Sequence, residues 1–210
     1  MKPLYNFIHV PKTAGTTFGK SVMENNMKSI RYPRGNIPPG GWNSYDGIHG
    51  HCNSNLADIR GHFQGREIIY FTFLREPIRR LMSYYYFVDH NISIEEWLVK
   101  NGDSLRNRMV KYYSSADDLE HLTEVHLERA KRFLDICNIG VVEKFDESLK
   151  RFQKKFPIFK NLNYEYKNRS KKEYSFDSES DNVKGMLNQY NDLDIELYRY
   201  GLRIFENKLS

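Results

Sequence analysis

The sequence predicts an α/β fold in which a central parallel β-sheet lies between two layers of helices. Apolar, strand-like runs alternate with segments of helical periodicity, which is typical of a parallel sheet with helical crossovers. The run Ile-Ile-Tyr-Phe-Thr-Phe at residues 68–73 has no polar alternation, as expected for a strand that is covered on both faces. A length of 210 residues fits one ordinary domain, so we expect a single domain over residues 1–210.

The first predicted strand runs from Leu4 to Val10 and passes through a short loop into a helix from Thr16 to Asn26. Backbone N–H groups at a helix N-terminus attract anions, and a lysine and several threonines add further donors here. The loop therefore predicts a binding site for a phosphate- or sulfate-like anion. Its candidate residues are Lys12, Thr13, Ala14, Gly15, Thr16 and Thr17.

A second strand-to-helix unit begins with the strand at 68–73, after which Pro77 suits the first position of a helix that runs to about Val88. Arg75 follows the strand directly, and Ser83 comes about two helical turns later, so the two side chains could hold one phosphate. Ligands of open α/β sheets bind at the carboxyl ends of the strands. Both units therefore point to one crevice, which would suit a nucleotide with phosphates at both ends.

Two features of this second helix are expected to be structural. Arg80 lies four residues after Glu76, a spacing that predicts an ion pair on the helix surface. The aromatic side chains of residues 84–87 point in different directions around the helix, so we expect them in the core or in a pocket wall, without a catalytic role.

The remaining chain predicts further helices and one more strand. The three-to-four spacing of apolar residues between Leu119 and Cys137 predicts a helix of about five turns that begins near Asp117 and Asp118. A short strand is expected at 139–142, and Asp146 is expected to cap the helix after it. The other segments are an irregular stretch at 31–46 that could form a flap, helical pieces over 92–113, a polar loop at 161–180 and closing helices over 183–190 and 193–205.

Composition narrows the class of protein. The net charge of +5 suits an anionic ligand, but the charges are too evenly mixed to predict nucleic-acid binding. Cys52 and Cys137 lie far apart and predict free thiols in a reducing compartment. No apolar run approaches a membrane span, and strand-like sequence starts near Met1, so we expect a soluble, cytoplasmic protein. The sequence does not indicate an oligomeric state.

Three segments resemble sulfotransferases that use 3′-phosphoadenosine 5′-phosphosulfate (PAPS). Residues 11–17 (PKTAGTT) resemble the 5′-phosphosulfate loop of that family, and residues 74–87 (LREPIRRLMSYYYF) resemble its 3′-phosphate element. Between them, residues 47–51 (GIHGH) are similar to the His-Gly-His segment of the heparan/uronyl 2-O-sulfotransferase branch. The resemblance implies a P-loop-like three-layer fold and an enzyme that moves a sulfuryl group from PAPS to a hydroxyl acceptor, with a saccharide as the expected acceptor.

The resemblance also implies roles for particular residues. His51 would be the base that removes the hydroxyl proton, and Lys12 would stabilise the departing phosphate. His49 would orient the acceptor or hydrogen-bond a carboxylate, which leaves open which of the two histidines is the base. Arg169 and Ser170, in a loop at 161–180 that would cover the nucleotide, are the remaining candidates for contacts to PAPS. No metal is expected, because the spacing of His49, His51, Cys52 and His62 fits no common zinc pattern.

Two other classes of function remain open from the residues. A P-loop-like small-molecule kinase is disfavoured because Lys12 precedes Gly15, which breaks the Gly-x4-Gly-Lys-Ser/Thr order, and because no clear magnesium-binding aspartate follows a strand. A non-catalytic module that binds an anionic polysaccharide would use the same basic groups, and its histidines would be incidental. No nucleic-acid or membrane partner is expected.

Overall fold

The computed structural model describes residues 2–32, 41–51, 65–88, 91–116, 121–164 and 174–207. Its strands are β1 (Leu4–Ile8), β2 (Ser29–Arg31), β3 (Gly47–Gly50), β4 (Ile68–Leu74) and β5 (Cys137–Val141). They form one sheet in the order β2-β3-β1-β4-β5, and every neighbouring pair is parallel. The predicted α/β class with a central parallel sheet is confirmed.

Helices connect and cover these strands. Helix α1 has a π-helical part (Thr17–Met23) that continues into an α-helical turn (Glu24–Asn26). The others are α2 (Pro77–Val88), α3 (Ile94–Leu105), α4 (Arg108–Ser114), α5 (Glu124–Asp135), α6 (Phe145–Lys155), α7 (Asp181–Gln189) and α8 (Asp192–Asn207). Short 3₁₀ turns occur at Trp42–Ser44, Val142–Lys144 and Phe176–Ser178.

The sheet separates two apolar cores, because successive side chains of a strand point to opposite faces. On β1, Leu4 and Ile8 pack with residues of α4, α5 and α8, whereas Phe7 packs on the other side with α1 and α6. The second core is largely aromatic; for example, Phe18 lies 4.8 Å from Phe7 and 5.2 Å from Phe73, measured between ring centroids. Three layers result, as the sequence predicts.

Strands β2 and β3 were not expected from the sequence. They have three and four residues, and β3 is half glycine, so neither shows a run of apolar or alternating residues. These two strands form through hydrogen-bonded pairing, since β3 pairs with β1 on one side and with β2 on the other. Residue Arg31, placed by prediction in an irregular stretch, ends β2; residues 33–40 of the expected flap lie outside the described residues.

Three predicted helix details are wrong. Helix α5 begins at Glu124 after a cap by Thr123 and His126, and it ends at Asp135, so Cys137 belongs to β5. Asp117 and Asp118 lie outside the described residues. Asp146 does not cap α6 but lies in its first turn, because the helix begins one residue earlier, at Phe145.

Arg80 does not form the predicted surface ion pair with Glu76. Its side chain is 1% exposed, and its Nη2 lies 3.9 Å from a carboxylate oxygen of the equally buried Asp194 on α8. The carboxylate of Asp194 also accepts hydrogen bonds from the backbone N–H groups of Met109 and Val110, at the start of α4. The spacing in the sequence predicts that Arg80 is exposed, but α8 covers it.

Candidate active site

The candidate site lies where β1, β3 and β4 end. Ligand crevices of open parallel sheets form at this edge, because the loops that leave the strands diverge there. The loop after β1, the end of β3 and the start of α2 all meet at this edge, and each carries residues that the sequence singled out.

The loop after β1 exposes backbone N–H groups. Lys12 and Ala14 have φ values of 70° and 56°, the left-handed conformation that turns the chain sharply. Across the described residues, the N–H groups of Ala14, Gly15 and Thr16 donate no hydrogen bond. The Thr13 hydroxyl, by contrast, donates to the Val10 carbonyl at 2.8 Å and holds the loop in shape. The open N–H groups form a candidate anion-binding cradle at the start of α1.

Lys12 adds a positive charge to this cradle. Its Nζ lies 4.1 Å from the centroid of the Phe87 ring, at the end of α2. Partial burial, and to a smaller extent the charge of Arg75, lowers the pKa of Lys12. A lysine with a lowered pKa is a better hydrogen-bond and proton donor to an anion.

Arg75 joins the second predicted unit to the first. Its Nη1 donates to the backbone carbonyl of Lys12 at 3.0 Å. Burial lowers the pKa of Arg75, while the carboxylates of Glu143 and Glu76 oppose this effect, and arginine remains charged. This hydrogen bond places the two cationic residues that the sequence analysis assigned to opposite ends of a nucleotide at the same edge of the sheet.

The N-terminus of α2 is closed by a side chain. The carboxylate of Glu76 accepts hydrogen bonds from the N–H groups of Ile78 (3.1 Å) and Arg79 (2.7 Å). The N–H of Glu76 in turn donates to Glu143 at 3.0 Å. An anion at this junction would therefore need side-chain donors, and Ser83, which is half-buried within α2, is the hydroxyl that the sequence analysis singled out.

His49 is held deep in the site by α1. Its Nε2 lies 2.9 Å from a carboxylate oxygen of Glu24, and a Cβ added at Gly19 would lie only 2.6 Å from its Nδ1. Burial lowers the pKa of His49 although Glu24 acts to raise it. The ring is therefore neutral at neutral pH, with Nε2–H donating to Glu24 and Nδ1 facing the helix.

His51 is oriented by the backbone. Its Nδ1 lies 2.9 Å from the carbonyl oxygen of His9, and a carbonyl oxygen only accepts, so Nδ1 carries the hydrogen. In the neutral ring, Nε2 then has the lone pair. The ring also stacks on the His9 ring, at 4.3 Å between centroids. This is the tautomer that a general base needs.

Four residues of the site were missed or underrated by the sequence analysis. Glu24 and Glu143 gave no local signal, because each reaches its partner only through the packing of separate elements. Phe87, expected in the core or a pocket wall, is 63% exposed beside Lys12. His9 precedes the anion loop in sequence, and this proximity was the one usable hint.

Other predicted residues and ligands lie beyond what the structure describes. Arg169, Ser170, Cys52 and His62 fall outside the described residues, whereas Cys137 is a buried thiol.

Within the described ranges, no group of three or more His, Cys, Asp or Glu side chains is arranged to hold a metal ion. No helix in those ranges is both long enough and apolar enough to cross a membrane.

The chain matches a known family model over most of its length. The model of the sulfotransferase family matches residues 5–201, from the first strand to the last helix, and thus includes the β1 loop, both histidines and α2. No match to an individual curated protein was found. Because the match extends over nearly the whole chain, the chain belongs to the sulfotransferase family.

Proposed function

We propose that the protein transfers the sulfuryl group of PAPS to a hydroxyl of a saccharide acceptor. The observation that supports this proposal is the hydrogen bond from Arg75 Nη1 to the Lys12 carbonyl, which brings together two candidate anion-binding groups from separate strand ends. A donor with a phosphosulfate at one end and a 3′-phosphate at the other needs two such groups. Family membership supports sulfuryl transfer as the reaction.

The donor fits the described residues as follows. The 5′-phosphosulfate would lie on the N–H groups of Ala14, Gly15 and Thr16, with Lys12 beside it. The Thr16 and Thr17 hydroxyls are further donors at the same helix start, and Thr13 supports the loop through its bond to Val10. The 3′-phosphate would be held by Arg75 and Ser83. We also assign nucleotide contacts to Arg169 and Ser170, in a loop at 161–180 that would cover the donor.

The transfer step is an in-line displacement at sulfur. The acceptor hydroxyl oxygen forms a bond to sulfur while the bond from sulfur to the 5′-phosphate oxygen breaks, and the electron pair stays on that phosphate oxygen. Lys12 stabilises the departing phosphate by a charge-assisted hydrogen bond. The hydroxyl proton passes to Nε2 of His51. The products are a sulfate ester and 3′-phosphoadenosine 5′-phosphate.

His51 is the better candidate for the base because of its tautomer. Its Nδ1–H donates to the His9 carbonyl, so Nε2 has a lone pair that can accept the proton. The Nε2–H of His49 already donates to Glu24, and its Nδ1 lies against Gly19. We therefore assign His49 to positioning rather than to proton transfer.

The saccharide acceptor and the branch are inferred from sequence. The segment 47–51 is similar to the His-Gly-His segment of heparan/uronyl 2-O-sulfotransferases, and in the fold it supplies both histidines at the end of β3. A hydroxyl of a sugar ring is the acceptor that this branch would take, and no metal takes part in the step as proposed.

A transfer assay with radiolabelled PAPS and a panel of glycans tests the proposal directly. We expect label on at least one saccharide, and calorimetry should show binding of 3′-phosphoadenosine 5′-phosphate. Nucleotide binding without transfer to any hydroxyl acceptor would favour a binding module instead. Magnesium-dependent turnover of ATP would favour a kinase.

The histidine assignment is tested by two matched variants. His51→Ala should lower kcat by about 10²–10⁴-fold, the usual contribution of a general base, and should leave the affinity for 3′-phosphoadenosine 5′-phosphate almost unchanged. His49→Ala should lower kcat less, since Glu24 and Gly19 would lose a contact that only supports the site. A larger loss in His49→Ala than in His51→Ala would reverse the assignment.

A further inference from the structure

The side chain of His9 lies between the two functional halves of the site. Its ring stacks on His51, with 4.3 Å between centroids and 26° between planes. The ring also occupies the space next to Gly15, because a Cβ added to Gly15 would lie 1.9 Å from Cδ2 of His9. The same ring thus touches both the anion loop and the proposed base.

The glycine in the anion loop is required by this ring rather than by its backbone conformation. Gly15 is absent from the glycines with positive φ, so an alanine could adopt its backbone angles. Steric overlap with the His9 ring excludes a side chain there, since contacts shorter than about 3 Å do not occur between carbon atoms in packed proteins. The anion loop can therefore approach the His9 ring this closely only because residue 15 has no side chain.

Backbone contacts of His9 support the same arrangement. Its N–H donates to the Gly50 carbonyl at 2.9 Å, and its carbonyl accepts from Nδ1 of His51. His51 follows Gly50 directly. His9 is therefore hydrogen-bonded to two consecutive residues, to the Gly50 backbone through its N–H and to the His51 ring through its carbonyl. The Phe7 ring is nearly parallel to the His9 ring, with 5.7 Å between their centroids.

We propose that the His9 ring is a positioning residue that couples the anion loop to His51. This inference rests on the proposed function, because it assigns His9 a role in orienting the base of that reaction. By stacking on it, the His9 ring holds the His51 ring in one orientation. In that orientation Nδ1–H of His51 donates to the His9 carbonyl, and Nε2 faces the hydroxyl of the acceptor.

His9 itself is poorly suited to proton transfer. Burial keeps its pKa well below the usual value for histidine, and the charged or titratable groups that face it, His51, His49, Arg31 and Lys12, all act in the same direction. In the described part of the chain, neither ring nitrogen of His9 has a hydrogen-bond partner. A neutral ring that makes no hydrogen bond to the described residues can be replaced by phenylalanine without leaving any of them unsatisfied.

A double-mutant cycle tests the coupling. His9→Ala should lower kcat by about 10- to 100-fold, since a displacement of about 1 Å of a reacting group has effects of this size. Binding of 3′-phosphoadenosine 5′-phosphate should change by no more than about threefold. Gly15→Ala should also lower kcat, but in the His9→Ala background it should add little, because its methyl group then enters the vacated space. His9→Phe should recover most of the activity that His9→Ala loses.

A second measurement does not depend on turnover. NMR titration of the histidine rings in the isolated protein should show His51 in the Nδ1–H tautomer, and this preference should weaken in His9→Ala and in Gly15→Ala. Unchanged His51 signals in both variants, or losses in kcat that multiply in the double mutant, would overturn the proposal. If the wild-type chain transfers no sulfate, the proposed function fails, whereas the NMR result still decides the coupling of His9 to His51. If His9→Ala does not fold, His9→Phe and Gly15→Ala decide it.

Discussion

The two strand-to-helix junctions of the site have the same sequence pattern but different chemistry. After β1, three consecutive N–H groups at the start of α1 donate to no acceptor in the described residues. After β4, the carboxylate of Glu76 accepts the N–H groups of Ile78 and Arg79 and closes the start of α2. The first junction can therefore bind an anion through its backbone, and the second only through side chains.

This difference shows why a strand followed by a helix does not by itself define an anion site. A helix N-terminus attracts an anion only while its N–H groups lack another acceptor. At the second junction an acidic side chain already fills that place, so the positive charge comes from Arg75, whose guanidinium also donates to the first junction. In the proposed site, the two junctions therefore contribute different kinds of anion-binding group.

The largest effect is expected from the first junction. Lys12→Ala should lower kcat by about 10²–10³-fold, as for the loss of one donor to a developing negative charge, and should also weaken nucleotide binding. Steady-state kinetics and calorimetry measure the two effects. Lys20→Ala, which removes an exposed lysine of α1, is the matched control and should change neither. Equal losses in both variants would mean that only the general positive charge matters.

A smaller effect is expected at the second junction. Arg75→Ala should weaken binding of 3′-phosphoadenosine 5′-phosphate by about 10- to 100-fold, since a hydrogen bond to a charged group contributes about 1.5–3 kcal/mol. Its effect on kcat with saturating donor should be smaller than that of Lys12→Ala. Arg79→Ala removes an exposed arginine of the same helix and serves as the control. Unchanged affinity in Arg75→Ala would separate the two junctions and contradict a shared crevice.

The closed helix end gives a third prediction. Glu76→Ala should lower the free energy of unfolding by about 0.5–2 kcal/mol, the usual range for a lost helix cap, as measured by urea denaturation. Glu76→Gln keeps an acceptor oxygen and should lose less. Nucleotide affinity should not fall in Glu76→Gln, because the variant removes a negative charge beside Arg75. A fall in affinity would show that the Glu76 carboxylate takes part in binding.

The smallest effect concerns pH and involves His9, at the first junction, and His49, on β3. His9 and His49 have folded-state pKa values below the unfolded value of about 6.5. Their neutral forms are favoured in the fold, so the stability they contribute is present above about pH 6.5 and is lost as pH falls through the folded pKa values. The free energy of unfolding, measured by urea denaturation, should be lower at about pH 5.5 than at about pH 7.5. His9→Phe should make this difference smaller by about 1 kcal/mol or less. Equal acid sensitivity in both proteins would contradict the lowered pKa of His9.

Much of the fold could be read from the chain because its strongest elements have local signals. Buried strands such as β4 have unbroken apolar runs, and α6 and α8 have clear helical periodicity. Strands β2 and β3 could not be predicted, since short strands with glycine depend on pairing partners that are distant in sequence. Arg80 was misjudged for the same reason: only the packing of α8 buries it beside Asp194.

For the site, the sequence by itself determined which groups are present: Lys12 with its loop, Arg75 and Ser83 in α2, and two histidines one residue apart. Only the tertiary structure decided how they differ. It places Glu24 on His49 and the His9 carbonyl on His51, and so assigns different tautomers to two histidines that look alike in sequence. The physical reason is that a tautomer depends on the hydrogen-bond partner of each ring, and both partners come from other parts of the chain.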